Sequence, residues 1–379
     1  MGHSSEMTAD RRTIAIDARK LGDTGVGRSA SALVAGLATT PGANDFAWRL
    51  LGHRDRWQHL GTTPPGTRLT HIHSGVYSPW QHAEVALRLF QRGADLLHAT
   101  HFTTPLILPQ HTRLIVTIHD AAFLDRPDFA TGSLLSAMRL AAYRVLMHLA
   151  AWRADTIIVG TRATEADLAR LLPSSRGKVR VLPNGIDLAR FQPSAMSGTT
   201  DEVILFVGTL SRRKGIDTLV QAYASRPALR RHRLVLVGPD HTGDALALRQ
   251  LVARLGIENR VVLTGTIPDD ALLEWYRRAR VVTLPSLLEG FGYPVVEAMA
   301  MGVPCVASDL PPIREVAAGT ALLVPPGDVT ALGEALERAC FEDALRTNLI
   351  ARGLARAPDF SLERIGAQAL AIYRDVLGS

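Results

Sequence analysis

The chain has 379 residues, 47% of them hydrophobic, with 31 glycines and 21 prolines; one core does not fill that length, which predicts two domains of ordinary size. No apolar run of about 18 residues occurs, which excludes a membrane-spanning helix, and Cys305 and Cys340 are the only cysteines, which argues against a disulfide framework or a cysteine metal site and fits a reducing cytoplasm. The formal charge of +6 is uneven: 22 Lys/Arg face 15 Asp/Glu through Arg190, and 20 face 21 beyond it. The basic excess is spread out, so solubility and attraction to anionic lipid or a phosphate-bearing acceptor explain it equally well. Met1 to Arg12 is polar and lacks an apolar signal core.

Taken in order, Thr13–Asp17 reads as a buried strand, residues 22–28 as a glycine-rich loop, and Ser29–Leu37 as a helix. The string from Gly25 to Ala30 fits a dinucleotide fingerprint only superficially. Its glycines lie too far past the strand, and no acidic residue follows a second strand at the required distance. Strands recur at Trp48–Leu51, Leu69–His71, Asp95–His98, Leu114–Ile118, Thr156–Val159 and Val179–Leu182, with helical patterns at Ser78–Gln91 and Ser133–Arg153. This alternation predicts a parallel sheet covered on both faces, whose ligands collect at the carboxyl ends of the strands. His119 and Asp120 fall at such an end. Arg190–Glu202, rich in Pro, Ser, Gly and Thr, reads as a linker.

A second series opens with the strand Val203–Val207, the loop Gly208 to Gly215 and the helix Ile216–Ala224. Arg213 and Lys214 at this junction suit a diphosphate: the lysine supplies a point charge, the arginine a fork, and the helix start a positive dipole end. Lysine otherwise occurs only at Lys20 and Lys178. Strands follow at Leu234–Val237, Val261–Leu263, Val281–Leu284, Val303–Ala307 and Leu322–Val324, Asp328 reads as a helix N-cap, and Ser361–Leu377 as a last helix.

The stretch from Ser286 to Gly302 carries the chemistry. Glu289 and Glu297 bracket Gly290, Phe291, Gly292, Tyr293 and Pro294, so a bare turn offers N–H groups to an anion while the carboxylates offer acceptors to vicinal hydroxyls. On spacing alone, a purely structural turn accounts for it equally well. The stretch resembles the retaining glycosyltransferases of family 4, whose signature E-G-F-G-x-x-x-x-E-A-M-A-x-G-x-P runs here from Glu289 through Gly302 and Pro304. Thr117 to Asp120 resembles the family's T-x-H-D, and Pro183 to Asp187 its P-N-G-[IV]-D. Val207 to Gly215 resembles V-G-x-L-x-x-x-K-G. Gly25 to Arg28 is similar to its G-G-x-G-R loop, with Thr24 replacing the first glycine.

That resemblance implies an α/β GT-B architecture of two facing Rossmann-like domains with parallel sheets, residues 13–190 on the acceptor side and 203–358 on the donor side. Residues 191–202 form the linker, and residues 359–379 cross back to the first domain. It places Gly25 and Gly27 near the donor diphosphate, Arg28 and Asp120 on the acceptor side, and His119 at the donor sugar. Gly208, Arg213 and Lys214 face the leaving diphosphate, and Gly265 lies beside the base. The backbone of Gly290 to Pro294 completes the phosphate site, with Glu289 at the sugar hydroxyls and Glu297 at the ribose. Many members carry arginine where Thr209 stands, so Arg213 is expected to serve instead.

Cleavage of a sugar–phosphate bond builds negative charge on the diphosphate, which fixed cations and N–H dipoles stabilise. No D-x-D string occurs, so neither a metal nor a cofactor beyond the nucleotide-sugar co-substrate is expected. Configuration is expected to be retained by front-face substitution, since no carboxylate stands out as a nucleophile. The combined motifs look most like bacterial mannosyl- or rhamnosyltransferases of polysaccharide assembly. GDP-mannose is therefore the first donor expectation and a UDP- or dTDP-sugar the alternative. A GT-B nucleotide-sugar epimerase and a non-catalytic scaffold are less supported. The expected acceptor is a glycan or lipid-linked glycan and the expected location the cytoplasm, with peripheral contact to the inner membrane and no nucleic-acid partner.

Overall fold

Short runs of valine, isoleucine and leucine, buried on both faces, form the strands of two parallel sheets. The computed structural model describes residues 11–23, 25–121, 124, 134–193, 203–240 and 243–378. By internal contacts the chain divides into one unit of residues 1–160, 165–185 and 362–379 and another of residues 161–164 and 186–361.

The first unit contains strands β1 (Thr13–Asp17), β2 (Ala47–Gly52), β3 (Arg68–His71), β4 (Leu96–Ala99), β5 (Arg113–Thr117), β6 (Thr156–Val159) and β7 (Val179–Val181), in the order 3-2-1-4-5-6-7. Alternate side chains serve opposite faces. Ile14, Ile16, Trp48 and Leu50 join one cluster, and Ala15, Leu51 and Val116 the other. The helices are α1 (Gly25–Thr39), α2 (Gln81–Arg92), α3 (Leu134–Arg153) and α4 (Arg162–Leu171), whose first residues count with the second unit.

The second unit orders its strands 10-9-8-11-12-13: β8 (Val203–Val207), β9 (Arg233–Val237), β10 (Val261–Gly265), β11 (Ala279–Leu284), β12 (Cys305–Ser308) and β13 (Ala321–Val324). Its helices are α5 (Ile216–Ser225), α6 (Asp244–Arg254), α7 (Asp269–Arg278), α8 (Tyr293–Met301), α9 (Pro311–Ala317), α10 (Val329–Phe341) and α11 (Asp343–Arg356). Asp328 caps α10, accepting from the Ala331 N–H at 2.9 Å. In both units the strand order reverses beside the first strand, β1 and then β8, which opens a crevice at the carboxyl ends of the strands.

Several boundaries differ from the sequence reading, three of them at element starts where a glycine or proline is involved. Helix α1 opens at Gly25 rather than Ser29, so Gly25, Gly27 and Arg28 occupy its first turns instead of a loop. Gly27 permits the early start, because a Cβ there would lie 2.3 Å from the Lys20 carbonyl oxygen. Helix α2 begins at Gln81 rather than Ser78, since a residue before proline, here Ser78 before Pro79, avoids helical angles. Strand β12 begins at Cys305, after Pro304, rather than at Val303. Thr24, Ser133 and most of the expected linker, residues 194–202, lie outside the described residues.

The last helix, α12 (Leu362–Leu377), belongs to the first unit and lies along α1. Two glycines set the crossing. A Cβ on Gly36 would lie 2.4 Å from the Leu362 carbonyl oxygen, and one on Gly366 would lie 2.2 Å from that of Gly36. Gly366→Ala is expected to destabilise the chain by about 1–3 kcal/mol, the usual cost of overpacking, against an exposed control such as Gly61→Ala, whose added Cβ meets open space. Urea unfolding read by circular dichroism checks this, and equal midpoints for the two variants contradict it.

Candidate active site

Strands β8 and β11 are neighbours in the second sheet, so the loops that leave their carboxyl ends emerge side by side. Their contact is very close: Gly215 has a φ of 68°, and a Cβ there would sit 1.9 Å from the Pro285 carbonyl oxygen. The Leu287 N–H donates to the Arg213 carbonyl at 2.8 Å, and the Arg213 guanidinium donates to the Leu288 carbonyl at 3.4 Å.

This contact delivers Lys214 to Glu289. Its ammonium lies 2.5 Å from Glu289 Oε2, which also accepts from the Ser286 hydroxyl at 3.1 Å. Both side chains are only 13% exposed. Burial pushes the Glu289 carboxyl up, but Lys214, Arg213 and the two hydrogen bonds outweigh it and hold the group below the usual carboxylate range.

Directly after Glu289 the chain turns into α8 through Gly292, whose φ is 90° and whose added Cβ would meet Ile313 at 2.4 Å. Pro294 stands in the first turn of α8, where its missing N–H costs nothing. Among the described residues, nothing accepts from the N–H groups of Gly290, Phe291 and Gly292. The result is a helix start with unpaired donors next to two cations, an arrangement whose chemistry suits an anion.

Three glycines line the neighbouring strand ends. Gly208 donates to the Val237 carbonyl at 2.9 Å, and Gly238 to that of Gly265 at 3.0 Å. A Cβ on Gly238 would lie 2.0 Å from the Gly208 carbonyl oxygen. Gly238 was not singled out by the sequence reading, although its position just after β9 repeats the placing of Gly208 after β8. Glu297 points inward, fully buried, and accepts a short hydrogen bond from Tyr276 of α7. Sequence reasoning missed Tyr276 because its partner lies on another helix.

The first unit carries a different kind of set. His119 and Asp120 follow β5, half-buried, with His119 Nε2 donating to the Thr100 carbonyl at 3.0 Å. Burial lowers the pKa of His119, partly offset by that hydrogen bond and by the Asp120 carboxylate. His98, on β4, is fully buried between the Tyr373 hydroxyl at 2.6 Å and the Thr117 hydroxyl at 2.8 Å, and burial pushes its pKa down to about 3. His101 lies 3.0 Å from the Thr103 hydroxyl, its pKa also depressed, first by burial and then by Lys20. Before α1, Asp17 and Arg19 form a buried ion pair of 2.6 Å. Arg28 is half-buried on the first turns of α1, Gly27 is buried there, and Gly25 faces open space. His98, His101 and Lys20 were not singled out as site residues, although the scarcity of lysine was a signal for Lys20.

The model for Glycosyltransferase Family 4 matches residues 24–190, and that for Glycosyl transferases group 1 matches residues 190–356. The chain is a family 4 glycosyltransferase of GT-B type. The O-antigen chain mannosyltransferase B of Escherichia coli is 29% identical over 74% of this chain and 74% of its own length. A D-inositol 3-phosphate glycosyltransferase of Xylanimonas cellulosilytica is 29% identical over 74% of this chain and 68% of its own. Among solved structures, the sucrose-phosphate synthase of Thermosynechococcus elongatus shares the fold with a TM-score of 0.78 at 24% identity, covering 97% of this chain and 100% of that one. HepE of Anabaena, in complex with UDP-glucose, gives a TM-score of 0.74 at 21% identity over 96% and 99% of the two chains.

In this glycosyltransferase the depressed carboxyl of Glu289 has a consequence for stability. A carboxyl whose folded pKa lies below its unfolded value stabilises the fold above the ordinary carboxyl range, and the contribution fades as pH falls through the depressed value. Glu289→Gln removes that contribution. The stability difference between the parent chain and the variant, from urea unfolding between pH 7 and pH 3, is expected to be largest at neutral pH and to shrink toward acid; a pH-independent difference contradicts the assignment.

Proposed function

We propose that this glycosyltransferase moves mannose from GDP-mannose, with retention of configuration, to a glycan or lipid-linked glycan acceptor in bacterial polysaccharide assembly. The observation that carries the donor class is the Lys214–Glu289 pair set against the unpaired N–H groups of Gly290 to Gly292. An ammonium has three donors. One goes to Glu289, so a diphosphate can share Lys214 while the helix start and Arg213 take its other oxygens, and no metal is required for charge balance. Glu289, oriented by Lys214 and Ser286, then faces the hydroxyls of the transferred sugar. Glu297 receives the ribose, with Tyr276 as the positioning residue that fixes one of its oxygens.

In the first unit, His119 contacts the donor sugar through Nδ1, since Nε2 is engaged by the Thr100 carbonyl. Asp120 and Arg28 serve the acceptor. With no carboxylate assigned as a nucleophile, the departing phosphate accepts the proton of the incoming hydroxyl on the same face, which retains configuration. Mannose is favoured by the similarity to the O-antigen mannosyltransferase. A UDP-hexose is the second reading, favoured by the HepE complex with UDP-glucose. No helix among the described residues is long and apolar enough to cross a membrane. A peripheral approach to a lipid-linked acceptor is supported by the exposure of Trp80, Leu87 and Phe90 on and beside α2.

Calorimetry with GDP, UDP, dTDP and ADP sugars in EDTA tests the donor. GDP-mannose is expected to bind the parent chain, and Lys214→Ala to weaken it at least tenfold, about 1.4 kcal/mol or more. Glu297→Ala is expected to weaken binding while sparing affinity for inorganic pyrophosphate. Preference for another nucleotide overturns the GDP assignment, and no binding by any donor overturns the site.

A further inference from the structure

The edge of the first sheet bears a second cationic site, far in sequence from the diphosphate loops. An open cavity of about 660 Å³ lies where β3, the C-terminal half of α2 and the turn at Arg54 meet. Arg54, Arg88 and Arg92 line it with His71 and His73, and no aspartate or glutamate does. Trp57 and Leu69 supply an apolar wall.

A solvated basic face explains such a cluster in many proteins, but here the cations are not all at the surface. Arg49, beside Arg68 in the β2–β3 register, is only 7% exposed, and its guanidinium meets just the Arg92 carbonyl, at 3.2 Å. Among the described residues its Nε and Nη1 have no partner, and neither does the buried Nε of Arg88. Thr70, on the cavity wall and 5% exposed, has a hydroxyl with no partner. Glu84, one turn before Arg88 on α2, accepts from the backbone N–H groups of His73 and Ser74 and lies 3.0 Å from the His73 ring Nδ1, so its carboxylate serves the His73 side of the cavity and not the arginines. Like charges packed at this edge repel each other, and Arg49 is harder to keep protonated because of burial and the nearby Arg92 and Arg68. On the cavity wall itself, the unpartnered Arg88 Nε and Thr70 hydroxyl call for an acceptor with several oxygens, while Arg49, which is not one of the lining residues, adds uncompensated positive charge at the same edge.

We infer that this cavity binds a phosphate monoester, with the arginines and Thr70 holding the phosphate and Trp57 and Leu69 packing against the group it esterifies. The chemistry is shared by a soluble phosphate monoester and by a lipid whose headgroup is itself a phosphate monoester, such as phosphatidic acid. The site is independent of the donor assignment, because none of its residues belongs to the loops after β8 and β11.

Calorimetry of the full chain with glycerol 3-phosphate tests it, using the parent, Lys214→Ala and the double variant Arg88→Gln/Arg92→Gln, with circular dichroism to confirm folding. The parent and Lys214→Ala are expected to bind equally, and the double variant at least tenfold more weakly. The exposed Arg54→Gln, expected to cost about threefold, provides the test should the double variant fail to fold. Sedimentation with phosphatidylcholine vesicles, with and without phosphatidic acid, whose headgroup is a phosphate monoester, separates the sources. Retention on the anionic vesicles alone, lost in the arginine variants, assigns a lipid phosphate, and binding of glycerol 3-phosphate without retention assigns a soluble ester. Loss of binding in Lys214→Ala alone, or equal binding by every variant, overturns the inference.

Discussion

The backbone of Gly215 approaches Pro285 so closely that no side chain fits between them. The arrangement of Lys214, Glu289 and the start of α8 depends on this contact. It joins two loops some 75 residues apart, brings the Lys214 ammonium onto the Glu289 carboxylate, and sets both beside the start of α8. Charges held in place before a ligand binds need little reorganisation, and that is where electrostatic stabilisation is most effective. The carboxylate also lowers the cost of keeping Lys214 largely buried before a substrate binds. Glycine at 215 is thus a requirement of packing that fixes a requirement of chemistry.

The first unit handles polarity differently. Its strand ends gather His98, His101 and His119, and burial lowers the pKa of all three. A neutral imidazole both donates and accepts, which suits hydroxyl groups rather than phosphate. His98 is committed to Tyr373 and Thr117, so it serves structure by tying α12 to β4 and β5. His119 keeps a ring nitrogen for other use. The strand ends of the two units thus differ in chemistry, with a lysine, an arginine and unpaired N–H groups after β8 and β11 and neutral imidazoles after β4 and β5.

Much of this was legible in the chain. The strands Thr13–Asp17, Thr156–Val159 and Val203–Val207 stand where the apolar runs place them, because short β-branched stretches between turn residues leave few alternatives. Helix starts were read less well. Gly25 and Gly27 look like loop residues by composition, yet they open α1, since glycine serves the close approach to Lys20 as well as flexibility. The signature from Glu289 to Gly302 was readable for a local reason: its turn and helix are built from consecutive residues.

By itself the sequence determined where the strands run, about half of the helices, that both sheets are parallel, and where the glycine-rich loops fall, since these follow from periodicity and local backbone preference; helices such as Arg162–Leu171 and Asp269–Arg278 were not read from it. Only the tertiary structure decided the partners. It placed Tyr276 on Glu297, Tyr373 on His98, Gly366 against Gly36, and Arg49 among the cations at the sheet edge. The physical reason is that hydrophobic patterning records which face of an element is buried but not what it is buried against. Pairing between distant residues is set by how the elements pack.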